Sequence, residues 1–314
     1  MHRIVFNFFG LPFWVLGSFG SSRALQTVQA AWRVTTRGCL ILGVAASLTA
    51  CAWLDAKQRA IVYRPTPGVP ADFTGLRAGD LSFALQVPGS EPGTQDTLQM
   101  WWLPQANADA PTLLYLHGTF RNLYQNLPKI NALREAGFSI LAVDYRGWGS
   151  SSLIIPSEAT IYADANTAWA ELTRRQPDPR RRVIYGHSMG SGVAVTLASG
   201  KHHGTDYAAL ILESAFTSLP DVARAAGWWG WLAALFSSQK FDSINKIGKV
   251  DAPVLMLHGE ADNTVPVALG RKLRDAAPPG TRWVEFAGGS HSRLMTDAPA
   301  AYQQALKLLI AQLD

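Results

Sequence analysis

The sequence is poor in cysteine, and its first fifty residues contain no acidic residue. Cys39 and Cys51 are the only cysteines among the 314 residues, so a framework of several disulfides is excluded. The sequence also lacks a Cys/His cluster with zinc spacing, a phosphate-binding glycine loop and a Gly-x-Gly-x-x-Gly after a strand. We therefore predict no metal site and no bound cofactor.

Residues 1–50 carry four arginines and no aspartate or glutamate. The apolar run 39–50 has 12 residues, which is too short to cross a membrane (about 20 are needed) but typical of a secretory signal peptide. The run ends in Leu-Thr-Ala-Cys, which resembles a bacterial lipobox and implies cleavage before Cys51 and lipidation of its sulfur. We expect a lipoprotein leader over 1–50, membrane attachment through Cys51, and a location in the cell envelope facing the periplasm or exterior.

Some thirty residues precede the basic flank of this run, more than a signal peptide normally has. They either form an additional membrane-touching segment or reflect a translation start placed upstream of the true one. A single signal-anchor helix and an ordinary hydrophobic helix with a buried cysteine are the remaining interpretations.

The positive charge of the chain belongs to this leader. The whole sequence has net charge +5, with 28 basic and 23 acidic residues. Without the four arginines of the leader, 24 basic residues face the same 23 acidic ones. Since no basic stripe interleaved with aromatics is present, we predict no nucleic-acid partner. We expect the protein to be a monomer.

The remaining residues suit one α/β domain over 81–314, preceded by a Pro/Gly-rich tether over 51–80. Two strand-like runs near 81–87 and 97–103 predict an antiparallel hairpin at a sheet edge. Six further apolar runs then alternate with helical stretches, which predicts a doubly wound, mostly parallel, eight-stranded sheet. The connection 214–250 has room for a small helical lid.

One motif in this pattern carries chemistry. Residues 186–190 read Gly-His-Ser-Met-Gly, between a β-branched run and a stretch that can form a helix. A serine in such a strand-to-helix turn projects its hydroxyl outward, and the flanking glycines remove side chains that would clash there. We therefore predict Ser188 as a nucleophile.

A serine nucleophile needs a base and an acid to orient that base, in the chain order Ser, Asp or Glu, His. Asp262 lies just past an apolar strand, and His291 lies in a small-residue loop after the last predicted strand. Loops at the carboxyl ends of parallel strands converge, so we expect Ser188, Asp262 and His291 to meet. Glu260, on the same loop as Asp262, is a minor alternative for the acid.

A developing oxyanion needs two convergent N–H donors. The backbone of Met189, directly after the nucleophile, should supply one. The loop after the strand-like run near 112–117 should supply the other, with Thr119 as the first candidate and Phe120 as the second.

The predicted lid is rich in tryptophan. Trp228, Trp229 and Trp231 lie within four residues and cannot all face one side of a helix, which turns about 100° per residue. We expect an apolar surface near the site, to which Phe120 also contributes. That surface would bind an acyl chain or contact a bilayer.

Four segments together resemble the α/β-hydrolase superfamily, and their order matches it from about residue 81 to the end of the chain. They are 116–119 (Leu-His-Gly-Thr), 144–151 (Asp-Tyr-Arg-Gly-Trp-Gly-Ser-Ser), 186–190 and 258–262 (His-Gly-Glu-Ala-Asp). Residues 58–65 also resemble the opening of a compact subgroup similar to serine aminopeptidase-like and depalmitoylase hydrolases. The resemblance implies the α/β-hydrolase fold and a serine hydrolase mechanism.

The function we expect is hydrolysis of carboxylic esters or thioesters of a small-molecule or lipid-like acyl substrate, through an acyl-enzyme. Amide or peptide cleavage is the alternative, because the same three side chains perform both reactions. A lipid-anchored binding protein without activity is a third possibility, since a fold does not guarantee a function.

Overall fold

The computed structural model describes residues 46–47, 49–89, 91–228, 230 and 237–313, in two units, Met1–Trp53 and Leu54–Asp314. The described residues of the first unit are helical, and Cys51 is exposed with a free thiol. Across the described ranges, no helix combines the length and apolar character that crossing a bilayer requires. The predicted leader lies almost entirely outside these ranges and stays a prediction.

The second unit is built on one eight-stranded sheet. Its strands are β1 (Leu81–Pro88), β2 (Gln95–Leu103), β3 (Thr112–Leu116), β4 (Ser139–Asp144), β5 (Arg182–His187), β6 (Ala209–Glu213), β7 (Val254–Gly259) and β8 (Arg282–Phe286). They lie in the order β1-β2-β4-β3-β5-β6-β7-β8. β1 and β2 form an antiparallel hairpin at one edge, β2 pairs antiparallel with β4, and the remaining pairs are parallel. The predicted doubly wound, mostly parallel sheet is thereby confirmed.

Helices cover both faces of the sheet because successive strand residues point to opposite sides. The described helices of the second unit are α1 (54–63, counted from the start of this unit), α2 (Leu123–Ala136), α3 (Glu158–Arg175), α4 (Met189–Ala198), α5 (Leu219–Ala225), α6 (Val267–Asp275), α7 (Leu294–Asp297) and α8 (Pro299–Ile310). Leu114 packs into one buried cluster with α3 and α4, while Leu113 packs into a second cluster with α2 and α8. Asn122 and Ser157 begin α2 and α3 with capping boxes.

The segment before the sheet differs from the tether predicted over 51–80. Residues 54–63 form α1, and Tyr63 at its end is fully buried, with its hydroxyl donating to Gln239 Oε1 at 2.5 Å. Gly68 N–H then donates to Gly149 O at 2.8 Å. The Pro/Gly-rich part that follows residue 63 is irregular, but its backbone hydrogen bond and the buried Tyr63 fix the segment to the domain.

A buried ion pair joins the hairpin edge of the sheet to α3. Arg146 donates from Nε to Asp164 at 2.8 Å, and from Nη1 to Asp96 at 3.0 Å and to Pro88 O at 3.1 Å. Burial raises the pKa of Asp164 to about 6, although hydrogen bonds and the charge of Arg146 oppose that rise. The Asp164 carboxyl therefore depends on Arg146 to stay ionised inside the protein.

Replacing Arg146 with Met should destabilise the fold by about 3–5 kcal/mol, because it leaves a buried carboxyl without its cation. The free energy of unfolding in urea measures this. Arg180→Met is the matched control, since Arg180 pairs with Asp178 on the surface and should change stability little. Equal effects of the two substitutions would contradict the importance of the buried pair.

Candidate active site

Ser188 occupies a strained turn between β5 and α4. Its backbone has φ 53° and ψ −123°, in a region that non-glycine residues rarely adopt. A side chain at Gly190 would collide with the carbonyl oxygen of Leu116, and one at Gly186 would collide with the backbone of Gly190. Both flanking positions therefore require glycine, and the turn presents the Ser188 hydroxyl at the carboxyl edge of the sheet.

The structure brings together the three side chains predicted to meet there. Ser188 Oγ lies 2.9 Å from His291 Nε2, and His291 Nδ1 lies 2.7 Å from Asp262 Oδ2. Because the ionised carboxylate only accepts hydrogen bonds, Nδ1 carries the imidazole proton and Nε2 is left to accept from the hydroxyl. This arrangement allows the imidazole to remove the Ser188 proton.

Asp262 is fixed as an ionised acceptor. Its Oδ1 accepts from the backbone N–H groups of Thr264 (2.9 Å) and Val265 (2.8 Å). Burial raises the pKa of Asp262, but hydrogen bonds from His258, His291 and Val265 outweigh burial and hold it below its ordinary value. The alternative acid, Glu260, is exposed, and Asp262 is the carboxylate in contact with the imidazole.

Two donors hold the backbone of the histidine, an arrangement that sequence analysis missed. The carbonyl oxygen of His291 accepts from His187 Nε2 and from Ser214 Oγ, both at 3.0 Å; we call these two donors the carbonyl clamp. Burial, reinforced by the charge of Lys129, lowers the pKa of His187 well below its ordinary value. His187 is therefore neutral and donates its single N–H to this carbonyl. No sequence pattern marks such a contact between distant loops.

A buried ionic cluster lies behind the nucleophile. The backbone oxygen of Glu213, at the end of β6, accepts from Ser188 N–H at 2.9 Å. The Glu213 carboxylate is fully buried and accepts from the Lys129 ammonium and from the hydroxyls of Tyr185 (2.7 Å) and Tyr302 (2.8 Å). The turn that carries Ser188 is therefore hydrogen-bonded to the end of β6, which the buried Glu213 side chain holds in place.

The two predicted oxyanion donors belong to the backbone segments beside Ser188. Met189 begins α4, and the first N–H groups of a helix have no partner inside it. A Cβ on Gly118 would stand 2.9 Å from Ser188 Cβ, so the backbone leading to Thr119 runs directly past the nucleophile. The hydroxyl of Thr66 donates to Phe120 O at 2.8 Å and supports this loop.

Of the predicted substrate-binding residues, Phe120 and Trp228 are described, and both are exposed. Phe120 directly follows Thr119, whereas Trp228 follows α5 in the predicted lid segment. Trp229 and Trp231 lie outside the described residues. Over the described ranges, no group of three or more His, Cys, Asp or Glu side chains is arranged to hold a metal ion.

A second histidine–carboxyl contact lies under the loop that carries Thr119. His117 Nε2 lies 3.5 Å from Asp144 Oδ1, which also accepts from Leu123 N–H at 2.9 Å. Burial raises the pKa of Asp144 to about 8 and lowers the pKa of His117 to about 4. At neutral pH both groups are therefore uncharged, and the contact is not an ion pair. The Asp144 carboxyl under the Thr119 loop is therefore protonated.

Comparisons with known proteins identify the family of the chain. A sequence model of the serine aminopeptidase S33 family matches residues 109–242. An uncharacterized protein of Mycobacterium tuberculosis is 33% identical over 268 residues, covering 81% of this chain and 89% of the relative. The chain belongs to the α/β-hydrolase superfamily.

Two further similarities cover part of a relative or the fold alone. The lysophosphatidylserine lipase ABHD12 of Danio rerio is 33% identical over 192 residues, which are 56% of this chain and 50% of that lipase. The chain therefore matches about half the length of that relative. The structure of the Pyrococcus furiosus esterase Pf2001 superposes with a TM-score of 0.63 at 18% identity, covering 79% of this chain and 97% of the esterase. That similarity concerns the fold alone.

The protonated carboxyl under the Thr119 loop leads to a pH prediction. The folded state keeps the Asp144 proton up to about pH 8, whereas the unfolded chain releases it at about pH 3.9. Rising pH between these values therefore destabilises the native protein, by at most about 1.4 kcal/mol per pH unit. In Asp144→Asn this loss should disappear.

Urea unfolding of both proteins at about pH 6, 7 and 8 measures the difference, because only the wild type can lose this proton. The stability of the wild type relative to Asp144→Asn should fall as the pH rises. A relative stability that is constant over this range would show that Asp144 is already ionised in the folded state.

Proposed function

We propose that this protein is a serine hydrolase that cleaves carboxylic esters or thioesters through an acyl-enzyme. The observation that carries the proposal is the continuous contact from Ser188 Oγ to His291 Nε2 (2.9 Å) and from His291 Nδ1 to Asp262 (2.7 Å). A hydroxyl, an imidazole and a carboxylate in this order are the parts of a nucleophile, a general base and an orienting acid.

In this proposal, His291 Nε2 takes the Ser188 proton while Oγ attacks the carbonyl carbon of the substrate. The N–H groups of Met189 and Thr119 stabilise the negative oxygen of the tetrahedral intermediate, each by about 2.7–4 kcal/mol. The imidazolium then gives its proton to the departing alcohol or thiol, leaving the acyl group on Ser188. Water, deprotonated by His291, attacks this acyl group, and the free acid leaves as the Ser188 proton returns.

A lipid-like acyl ester is the substrate class that we propose. Phe120 places an exposed aromatic ring directly after the Thr119 amide, where an acyl chain of a bound ester would pass. The name of one relative, a lysophosphatidylserine lipase, favours the same class. Amide cleavage is the alternative, and the serine aminopeptidase name of the matched family favours it.

We also propose that residues 1–50 are a lipoprotein leader and that Cys51 carries the lipid anchor, which would hold the enzyme in the cell envelope. The support comes from the basic flank, the 12-residue apolar run and the small residues before Cys51. The exposed thiol of Cys51 is compatible with modification.

Labelling with a fluorophosphonate tests the reaction, because only an activated serine attacks this reagent. The wild type should form one covalent adduct on Ser188, and Ser188→Ala should form none. Ser150→Ala, at an exposed serine, is the control and should label normally.

A panel of p-nitrophenyl esters, acyl thioesters and aminoacyl anilides then separates ester, thioester and amide cleavage. Folded protein that is neither labelled nor active would support a binding protein instead.

The carbonyl clamp leads to a prediction for His187, a positioning residue. In His187→Leu the donor to His291 O is lost, so the imidazole is less well aligned and kcat should fall by about 10²-fold with KM unchanged. His187→Gln places an amide N–H at a similar reach and should restore most of kcat. Steady-state kinetics and unfolding midpoints of both variants are compared. Equal kcat in the Leu and Gln variants would contradict the role of this hydrogen bond.

A further inference from the structure

Phe120, which directly follows the predicted oxyanion donor Thr119, is the centre of a strained turn. Its backbone has φ 69°, and the N–H of Arg121 donates to Thr119 O at 2.9 Å, two residues back along the chain. A hydrogen bond of this span around a residue with positive φ defines the form of the γ-turn that is rare because it is strained. A residue with a large side chain keeps such a conformation only where the surrounding structure holds it.

The side chain of Thr66, 54 residues earlier in the chain, contacts the centre of this turn. Its hydroxyl donates to Phe120 O at 2.8 Å, a much shorter contact than its 3.5 Å distance from Arg64 O. The guanidinium of Arg64 lies 5.4 Å from the centre of the Phe120 ring, within the range of about 6 Å for a cation–π contact. The carbonyl and the ring of Phe120 are thus both held by residues 64–68, which we call the support segment.

Hydrogen bonds fix the support segment to the rest of the domain. Gly149 N–H donates to Thr66 O at 3.0 Å, and Gly68 N–H donates to Gly149 O at 2.8 Å. The side-chain amide of Asn122, at the start of α2, donates to the carbonyl oxygens of Thr66 and Gly68, both at 3.1 Å. Because these contacts hold the backbone of residue 66, its hydroxyl is a fixed donor for the turn.

The turn lies so close to the nucleophile that a small shift would matter. A Cβ on Gly118 would stand 2.9 Å from Ser188 Cβ, so the backbone that leads into the turn passes directly beside the serine. Relaxation of Phe120 to a negative φ would rotate the peptide between Thr119 and Phe120 and shift the Thr119 backbone. An N–H donor must lie about 3 Å from the oxyanion, and a misplacement of about 1 Å at a reacting centre lowers a rate about 10²-fold.

We propose that Thr66 is a positioning residue for the reaction: its hydroxyl holds the strained turn at Phe120 and thereby directs the Thr119 N–H towards the oxyanion. The inference rests on the proposed function, because it explains how one of the two oxyanion donors is kept in place. The support segment precedes residues 109–242, which match the family model, so this contact connects the matched region to a part of the chain before it.

Thr66→Val tests the hydroxyl, because valine has nearly the same shape and cannot donate a hydrogen bond. In the full chain, kcat for p-nitrophenyl acetate should fall about tenfold with KM unchanged, since the oxyanion donor acts in the transition state. Thr66→Ser keeps the donor and should retain most of kcat. Thr173→Val is the matched control and should leave kcat unchanged; Thr173, on α3, is also half-buried, and its hydroxyl donates to Ala170 O at 2.8 Å.

A trifluoromethyl ketone separates oxyanion stabilisation from substrate binding. Ser188 Oγ adds to its carbonyl carbon while His291 takes the hydroxyl proton, so the ketone oxygen becomes an oxyanion like that of the tetrahedral intermediate. The inhibition constant should rise about tenfold in Thr66→Val, in step with the fall in kcat, and stay near the wild-type value in Thr66→Ser. Equal losses in the valine and serine variants, or wild-type values of both constants in Thr66→Val, would overturn the proposal.

Hydrogen exchange of the Arg121 amide, followed by NMR, reports on the turn without using activity. Because this N–H closes the turn, its exchange should be about tenfold faster in Thr66→Val and unchanged in Thr66→Ser and Thr173→Val. Exchange at the wild-type rate in Thr66→Val would show that the hydroxyl does not hold the turn, and it would overturn the proposal.

These measurements separate the support of the turn from the reaction. Faster exchange in Thr66→Val, in a protein that fluorophosphonate does not label, would support the hold of Thr66 on the turn and contradict the proposed function. A labelled and active wild type, with the same kcat and the same Arg121 exchange in Thr66→Val, would contradict the role of Thr66 and leave the serine hydrolase in place.

Discussion

The candidate active site depends on one backbone constraint, the left-handed turn of Ser188 between β5 and α4. A serine pays strain energy in that conformation, so the surrounding structure must hold it there. Gly186 and Gly190 give the turn its space, and the Glu213 carbonyl accepts the Ser188 amide at 2.9 Å. The next residue of the same strand end, Ser214, helps to hold the carbonyl of His291. One strand end thus positions the backbone of both the nucleophile and its partner.

The same edge of the sheet keeps two histidine–carboxyl pairs in opposite ionisation states. Asp262 receives several hydrogen bonds, which hold its pKa low and keep the carboxylate ready to orient His291. Asp144 receives one backbone N–H while fully buried, so its pKa is raised and it pairs with His117 as a neutral group. Burial dominates at Asp144, whereas hydrogen bonds outweigh burial at Asp262. As a result, the charged Asp262 carboxylate lies beside the reacting imidazole, and the uncharged Asp144 carboxyl lies beneath the Thr119 loop.

Much of this was predictable from the sequence because the relevant signals are local. The strand runs and the Gly-x-Ser-x-Gly motif depend on neighbouring residues, and the chain order of Ser188, Asp262 and His291 indicated that they would meet. The carbonyl clamp and the Lys129–Glu213 pair were not predictable, because each joins residues far apart in sequence through side chains without a pattern. Helix α1 and the burial of Tyr63 within the predicted tether were not predicted for a related reason: composition does not show which residues pack against a distant part of the chain.

The most direct measurement of the central claim is a crystal structure of the protein after reaction with a p-nitrophenyl phosphonate, whose tetrahedral phosphorus imitates the intermediate of ester hydrolysis. The account predicts a bond from Ser188 Oγ to phosphorus, with the phosphonyl oxygen about 3 Å from the amide nitrogens of both Met189 and Thr119. A phosphonyl oxygen that points away from these two amides, or phosphorus bound to a different residue, would contradict it.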